Sequence, residues 1–290
     1  MNNIKIEFKD KIEIDISIQN GIFKNIDEIL STYPEETNFI IITDQNVIKL
    51  YADEINSAFK NQNYNIITSI IGEQAKDISN IYNIYSDLLS LDCNKSSCLV
   101  ALGGGVIGDI TGFIAATFMR GIQYINIPTS LLAMVDSSIG GKTGINLVEG
   151  KNLVGSIYHP ANIIIDPLFL KTLPSREYNS GLSEIIKYGL ILDKNLYNLV
   201  ADNFQYLGCN NDSELMDNII NRCVELKSII VEKDVKDENL RNILNFGHTI
   251  GHALESYFGY KYMNHGEAVA YGMLYASQLS NLYFKLPDAD

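Results

Sequence analysis

Between residues 39 and 165 the sequence alternates short strand-like segments with stretches of helical periodicity. That alternation restricts the fold more than any other feature. The run at 39–43 is solidly apolar and ends in Asp44, and further strand signals fall at 64–71, 98–102, 124–127 and 162–165. Runs without polar alternation are those of strands buried on both faces of a parallel sheet. Helical stretches fall between them at 47–61, 78–91 and 113–117. Strand–helix–strand units in series imply an α/β fold with a mostly parallel sheet, covered on both faces. Ahead of them, 4–8 and 12–16 alternate apolar with polar residues, as a half-buried pair of strands does.

Strand signals end after 162–165 and the break Asp166-Pro167. From about Ser175 the pattern is helical, at 182–192, 212–233, 240–256 and 266–286. The expected division is an α/β domain over 1–172 and an all-α domain over 173–290, joined at the turn residues 171–174. A chain of 290 residues also suits about two domains at roughly 150 residues each. No apolar run reaches the roughly 18 residues of a membrane span, and the start MNNIKIEFKDK lacks signal-peptide character. The expected location is the cytoplasm. Cys93, Cys98, Cys209 and Cys223 have neither zinc-ribbon nor CxxC spacing and read as space-filling thiols of a reduced compartment.

The chain carries 22 basic against 35 acidic side chains, a net charge of −13. That field repels phosphate backbones and anionic lipid, which excludes nucleic acid and membrane surface as partners. An anionic substrate would require a site that is basic against the overall sign.

Gly103-Gly104-Gly105-Val106-Ile107-Gly108 fits GxGxxG between a strand and a helix. Glycines there permit a tight turn and bring backbone N–H groups and a helix N-terminus to a pyrophosphate. The acidic residue expected about 20 positions further on is missing, and Asp44 at the end of an earlier strand is the ribose candidate. Ser138–Gly144 (SIGGKTG) and Gly150-Lys151-Asn152 read as glycine turns carrying lysines, without P-loop spacing, and suit anion contacts.

Three of the four histidines, His248, His252 and His265, crowd into one short segment. His248 and His252 share a helix face at i, i+4. Such a pair is by itself a common surface feature, but a third histidine turns the reading toward Zn²⁺, which takes three protein ligands in catalytic sites. Spacing leaves the carboxylate ligand open among Glu184, Glu255 and Glu267. Glu184 and Lys187, at i, i+3, read as a helix salt bridge. Lys227 and Arg241 supply basic charge close to the histidines, and His159 before Pro160 reads as structural.

Taken together these residues resemble the 3-dehydroquinate synthase family of sugar phosphate cyclases. The resemblance is carried by GGGVIGDITGFIAATFMRG (103–121), IPTSLLAMVDSSIGGKTGIN (127–146), GKNLVGSIYHP (150–160), KTLPSREYNSGLSEIIKYG (171–189), ILNFGHTIGHALE (243–255) and HGEAVAYGM (265–273), in the family's order. TDQN (43–46) and GEQAK (72–76) match more loosely. The resemblance implies an NAD-binding α/β domain, a helical metal-binding domain and an active site between them. It implies conversion of 3-deoxy-D-arabino-heptulosonate 7-phosphate to 3-dehydroquinate and phosphate, in the shikimate pathway. One hydroxyl is oxidised to a ketone, which acidifies the neighbouring C–H for phosphate elimination. The ketone is then reduced, the ring opens and an aldol step closes the carbocycle, with no net redox change.

By position, the resemblance assigns the metal, Zn²⁺ or Co²⁺, to Glu184, His248 and His265. It assigns the active site to Asp136, Lys142, Asn152, Lys187, Lys227, Arg241, Asn245 and His252, with Lys142 and Asn152 on phosphate and Lys227 and Arg241 toward carboxylate. His252 becomes a proton-transfer or supporting residue. Arg120 matches an arginine that reaches across a dimer interface, which implies a homodimer. NAD⁺ would meet Asp44, Gly72, Glu73, Gln74, Ala75, Lys76, Gly104, Gly105, Val106, Ile107, Gly108, Asp109, Thr129, Ser130, Lys142, Lys151, Phe169, Leu170, Lys171 and Thr172. Family members continue past the position of Asp290, so the helical domain is expected to be a shortened one, without a further phosphate-contacting lysine. The rival readings are a 2-deoxy-scyllo-inosose or valiolone synthase, a metal-dependent polyol dehydrogenase, and a truncated, inactive chain that binds NAD⁺.

Overall fold

A computed structural model of the chain describes residues 13–208, 213–259 and 262–284. The expected strand at 4–8 lies outside these residues, as does Cys209. The first described strand is β1 (Asp15–Ile18), followed by the single turn α1 (Asp27–Leu30). Then come β2 (Asn38–Asp44), α2 (Gln45–Ala58), β3 (Asn63–Ser69), α3 (Ile78–Ser90), β4 (Cys98–Gly103), α4 (Gly105–Thr117) and β5 (Gln123–Pro128). The hairpin β6 (Lys142–Leu147) and β7 (Gly150–Ile157) precedes β8 (Asn162–Ile165).

Six strands form one sheet in the order β1-β8-β5-β4-β2-β3, every pair parallel. Alternate residues of each central strand enter different cores. Phe39, Ile41, Val100 and Leu102 face one apolar cluster, whereas Ile40, Ile42, Leu99 and Ala101 face another beneath α3 and α4. Burial on both sides is why these strands carry no polar alternation.

The remaining helices are α5 (Ser175–Ile191), α6 (Lys194–Asn203), α7 (Ser213–Lys233), α8 (His248–Tyr257) and α9 (His265–Phe284). The first apolar cluster runs from the sheet into Leu182, Ile185 and Tyr188 of α5 and Ile219, Ile220 and Cys223 of α7, without a break near residue 172. Asp166 ties the segment after β8 to the turn after β1: its carboxylate accepts from Leu168 N at 3.0 Å, Gly21 N at 2.9 Å and Phe23 N at 3.1 Å. Cys93, Cys98 and Cys223 are buried free thiols, as their spacing predicts. Among the described residues no helix is long and apolar enough to cross a membrane.

Three expectations are corrected. The glycine turn read at 138–144 holds for Gly140 and Gly141, whose φ angles are 105° and 67°, but 142–144 and 150–152 are paired strands of the β6–β7 hairpin. Gly144 and Gly155 lie opposite each other, and a Cβ on Gly155 would sit 2.1 Å from Thr143 O, so glycine here serves close strand approach. The helix expected over 240–256 is split. A tight 3-10 turn at Leu240–Asn245 ends before Gly247, whose φ of 79° interrupts the helix ahead of α8. Any side chain at Gly247 would meet Met273 Cγ at 2.6 Å. The helix placed at 113–117 begins at Gly105. One further element, α6, is absent from the sequence reading. It is capped by Asp193, which accepts from Asn195 N and Leu196 N.

Candidate active site

The chain runs outward from β2 to β3, then crosses back to β4 and continues to β5 and β8. Ligands of open α/β sheets bind outside the strand carboxyl ends where the order reverses in this way. A cavity of about 540 Å³ lies at that point. Asp44 ends β2 on its rim, Gly72 follows β3, and Gly104, Gly105, Val106 and Ile107 form the β4–α4 turn. Thr129 and Ser130 follow β5, and Phe169 and Thr172 close the far side. The first N–H groups of a helix have no intrahelical acceptor, so α4 presents donors suited to an anion. Asp44 also caps α2, accepting from Asn46 N at 2.7 Å and Val47 N at 3.1 Å.

The rest of the expected nucleotide set does not line this cavity. Leu170 and Ala75 belong to the cores, and Lys171 and Gln74 are exposed. Gly108 sets α4 against Asn126. Lys76 is buried and points away, donating to Asp109 Oδ2 at 2.5 Å and Asn152 Oδ1 at 2.8 Å. Glu73 links Lys151, at 3.8 Å, with Asn146, whose Nδ2 donates to it at 2.9 Å. Asp109 and Lys142 line a second opening instead.

This second opening, a cleft of about 670 Å³, gathers Asp136, Lys142, Asn152, Lys187, Lys227, Arg241, Asn245, His248, His252 and His265. They come from the segment after β5, the β6–β7 hairpin, α5, α7, the 3-10 turn at Leu240–Asn245, α8 and the first residue of α9. The cleft is therefore rich in fixed cations within an acidic chain. Arg120 lies outside it, on an exposed turn where Met119 and Arg120 take left-handed backbone angles of 47° and 62°.

Below the cleft, Glu184 is fully buried and neither of its carboxylate oxygens accepts a hydrogen bond. Lys187, one turn along α5, forms an ion pair with it. His248 Nε2 lies 3.7 Å and His265 Nε2 3.6 Å from Glu184 Oε1. The three donor atoms lie within 4.8 Å of one another. Lys187 compensates Oε2 only; leaving the buried Oε1 without a hydrogen-bond donor is costly, and a divalent cation among these atoms would satisfy it with the N/O donors of a three-ligand catalytic site. The residues present fit such an ion.

Of the carboxylates that spacing left open, Glu267 turns away to Arg176, which donates to it at 2.7 and 2.9 Å. Glu255 Oε2 instead approaches His265 Nδ1 at 3.7 Å, so His265 stands between two carboxylates. Burial pushes the His265 imidazole down, but Glu184 and Glu255 raise it to about 9. Burial pushes Glu184 up, but the Lys187 charge together with the His265 and His248 imidazoles outweighs it and holds the carboxyl below its ordinary value.

Asp136 sits in a wide helical turn, Ala133–Ser137. Tyr188 donates its hydroxyl to Asp136 Oδ1, and Lys227 donates to the same carboxylate at 2.7 Å and to the Asp136 carbonyl at 2.6 Å. Burial opposes ionisation of Asp136, but Lys227 and Lys187 overcome it and hold the carboxyl far below its ordinary value. Burial, with help from the Lys187 and Arg241 charges, lowers Lys227. Arg241 donates to Gly140 O at 3.2 Å. The loop that carries Arg241 is pinned by Asp234, which accepts from the backbone of Glu238, Asn239 and Arg241 at 2.9, 2.9 and 3.0 Å. Asp237 pairs with Lys142 and lies 3.5 Å from Arg241 Nε. Sequence reasoning passed over Tyr188, Asp234 and Asp237. Only Asp237 carried a signal, its i, i+4 offset from Arg241.

Solved structures share this architecture. A 2-epi-5-epi-valiolone synthase from Streptomyces hygroscopicus subsp. jinggangensis, with NAD⁺ and Zn²⁺ bound, superposes with a TM-score of 0.89 at 26% identity, over 99% of this chain and 79% of its own. A 2-deoxy-scyllo-inosose synthase complexed with carbaglucose-6-phosphate, NAD⁺ and Co²⁺ gives 0.86 at 30% identity, over 95% and 74%. The fold is thus that of the sugar phosphate cyclases.

Within that class, family models described as 3-dehydroquinate synthase N-terminal and C-terminal match residues 66–180 and 181–290. The 3-dehydroquinate synthase of Clostridium acetobutylicum is 47% identical over 263 residues, 89% of this chain and 72% of that protein. The chain belongs to the 3-dehydroquinate synthase family, and it is an enzyme of the carbon–oxygen lyase type.

Proposed function

We propose that the basic cleft converts 3-deoxy-D-arabino-heptulosonate 7-phosphate to 3-dehydroquinate and inorganic phosphate. In this reading NAD⁺ occupies the cavity at the strand reversal, and Glu184, His248 and His265 hold a divalent metal, Zn²⁺ or Co²⁺. The observation that carries it is the convergence of Lys142, Lys187, Lys227 and Arg241 on the carboxylate–imidazole cluster, in a chain of net charge −13. The bound metal supplies a Lewis acid for the hydroxyl being oxidised and for the resulting ketone. NAD⁺ held at the strand reversal would supply a hydride acceptor, with no net redox change over the reaction.

The protein's own groups bind, orient and move protons. Lys142 and Asn152, from the two strands of the hairpin, hold the substrate phosphate. Lys227 and Arg241 hold its carboxylate, with Asp136 and Tyr188 fixing the ammonium of Lys227. Burial keeps the His252 imidazole below its ordinary pKa, so it is a neutral proton acceptor near neutrality. Arg120, on its exposed turn, contributes to a second copy's cleft in a homodimer. The expected setting is the cytoplasm.

Identity supports this substrate over those of the other cyclases: 47% to a 3-dehydroquinate synthase against 26% and 30% to the valiolone and scyllo-inosose enzymes. Phosphate release with NAD⁺ and Zn²⁺ tests the reading. Release from the heptulosonate phosphate, without net NADH and with none from glucose 6-phosphate or sedoheptulose 7-phosphate, is the expected result. Turnover of either other sugar phosphate would overturn the substrate assignment. Equal rates from the wild type and His248→Ala would overturn the metal assignment.

A further inference from the structure

The two histidines that face Glu184 each turn their other nitrogen toward an acceptor. His248 turns Nδ1 to the Phe246 carbonyl at 3.2 Å and Nε2 to Glu184. His265 turns Nδ1 to Glu255 at 3.7 Å and Nε2 to Glu184 at 3.6 Å. A neutral imidazole carries one proton, and the acceptor beside one nitrogen decides which nitrogen is left with a lone pair. In His248 that acceptor is a backbone carbonyl. In His265 it is a buried side chain on a different helix.

Glu255 is placed for this task by the geometry of α8. His248, His252 and Glu255 fall at i, i+4 and i+7, one face of the helix. That face meets the start of α9 because glycines let the helices approach: a Cβ on Gly272 would lie 1.9 Å from Gly247 O. The Glu255 side chain is 10% exposed, so its carboxylate faces His265 with little competition from water.

We propose that Glu255 is a positioning residue that accepts the Nδ1 proton of His265, fixes its tautomer and aims Nε2 at the position shared with Glu184 and His248. The inference rests on the metal reading above and adds a residue to it. His252, Glu255 and His265 also lie within 4.8 Å of one another and form a second donor set. The two roles are exclusive, because a proton retained on His265 Nδ1 prevents that nitrogen from binding a second cation.

Zinc titration of metal-stripped protein against a chromophoric chelator tests the proposal, with circular dichroism as a check on folding. The wild type is expected to bind one Zn²⁺ per chain. Loss of such a partner weakens binding roughly 10- to 100-fold. Glu255→Ala is expected to show that loss. Glu255→Gln, isosteric and still able to accept the proton through its amide oxygen, is expected to lose less. Wild-type affinity in Glu255→Ala would overturn the proposal. So would two ions in the wild type falling to one in Glu255→Ala, since Glu255 would then be a ligand. Unchanged affinity in His248→Ala would instead remove the metal reading itself, and this inference with it.

Discussion

The ammonium of Lys76 ties Asp109 to Asn152, at 2.5 and 2.8 Å, and so joins the helix after the glycine turn to the hairpin that walls the cleft. Lys76 is 4% exposed at its side chain, which leaves Asp109 dependent on it for compensation. Burial already pushes the Asp109 carboxyl above its ordinary value, against the opposing charge of Lys76.

Lys76→Met is expected to destabilise the fold by about 3 kcal/mol, because removing one partner of a buried pair strands the other. Urea unfolding measures it. The double variant Lys76→Met/Asp109→Leu is expected to recover much of the loss. A double variant as unstable as the two single losses combined would show that Lys76 and Asp109 act independently.

Asp234 gives a pH dependence of definite sign. Backbone N–H groups of Arg241, Glu238 and Asn239 lower its pKa to about 2. A depressed carboxylate contributes stability above its unfolded value, about 3.9, and that contribution is lost as pH falls through the folded value. The stability gap between wild type and Asp234→Ala is therefore expected to hold from neutrality to about pH 4 and to close between there and pH 2. A gap independent of pH over that window would show that the caps do not depend on the charge.

Gly247→Ala is expected to cost about 3 kcal/mol, from a left-handed backbone combined with overpacking. Its φ is 79°, and the new methyl would fall 2.6 Å from Met273 Cγ and 2.8 Å from Met273 N. Thermal unfolding checks the loss. Because Gly247 precedes His248, metal affinity should fall in the same variant. A stable protein with unchanged affinity would contradict both.

Chelation is expected to abolish phosphate release, with recovery on adding Zn²⁺ or Co²⁺. Glu184→Gln should resist that recovery, because an amide in the fully buried position carries no charge for the ion or for Lys187. Full recovery in Glu184→Gln would place the metal elsewhere.

The central strands are legible in the sequence because burial on both faces removes polar residues from them, as in the run from Phe39 to Thr43. The hairpin is not legible, since the glycines that let Gly155 pass close to Thr143 O look like turn formers. Periodicity likewise carries the helical pattern across Gly247, where packing against Met273 enforces a break. The site follows the same division. His248 and His252 announce themselves by spacing within one helix. Asp136, Lys227 and Tyr188 meet only through the packing of three separate elements, and no spacing rule reaches across them.

The basic cleft within an acidic chain has a kinetic consequence. An anion approaching from a distance meets the field of the whole molecule, −13, before it meets Lys142 or Arg241. At physiological salt that field is screened beyond about 8 Å, so it hardly slows the distant approach. At low salt it reaches further. Capture of an anionic substrate should therefore quicken as ionic strength rises from very low values, the reverse of ordinary electrostatic steering. At high salt the same screening weakens the hold of the cations once the substrate is inside. Affinity and speed of capture then respond to salt in opposite directions.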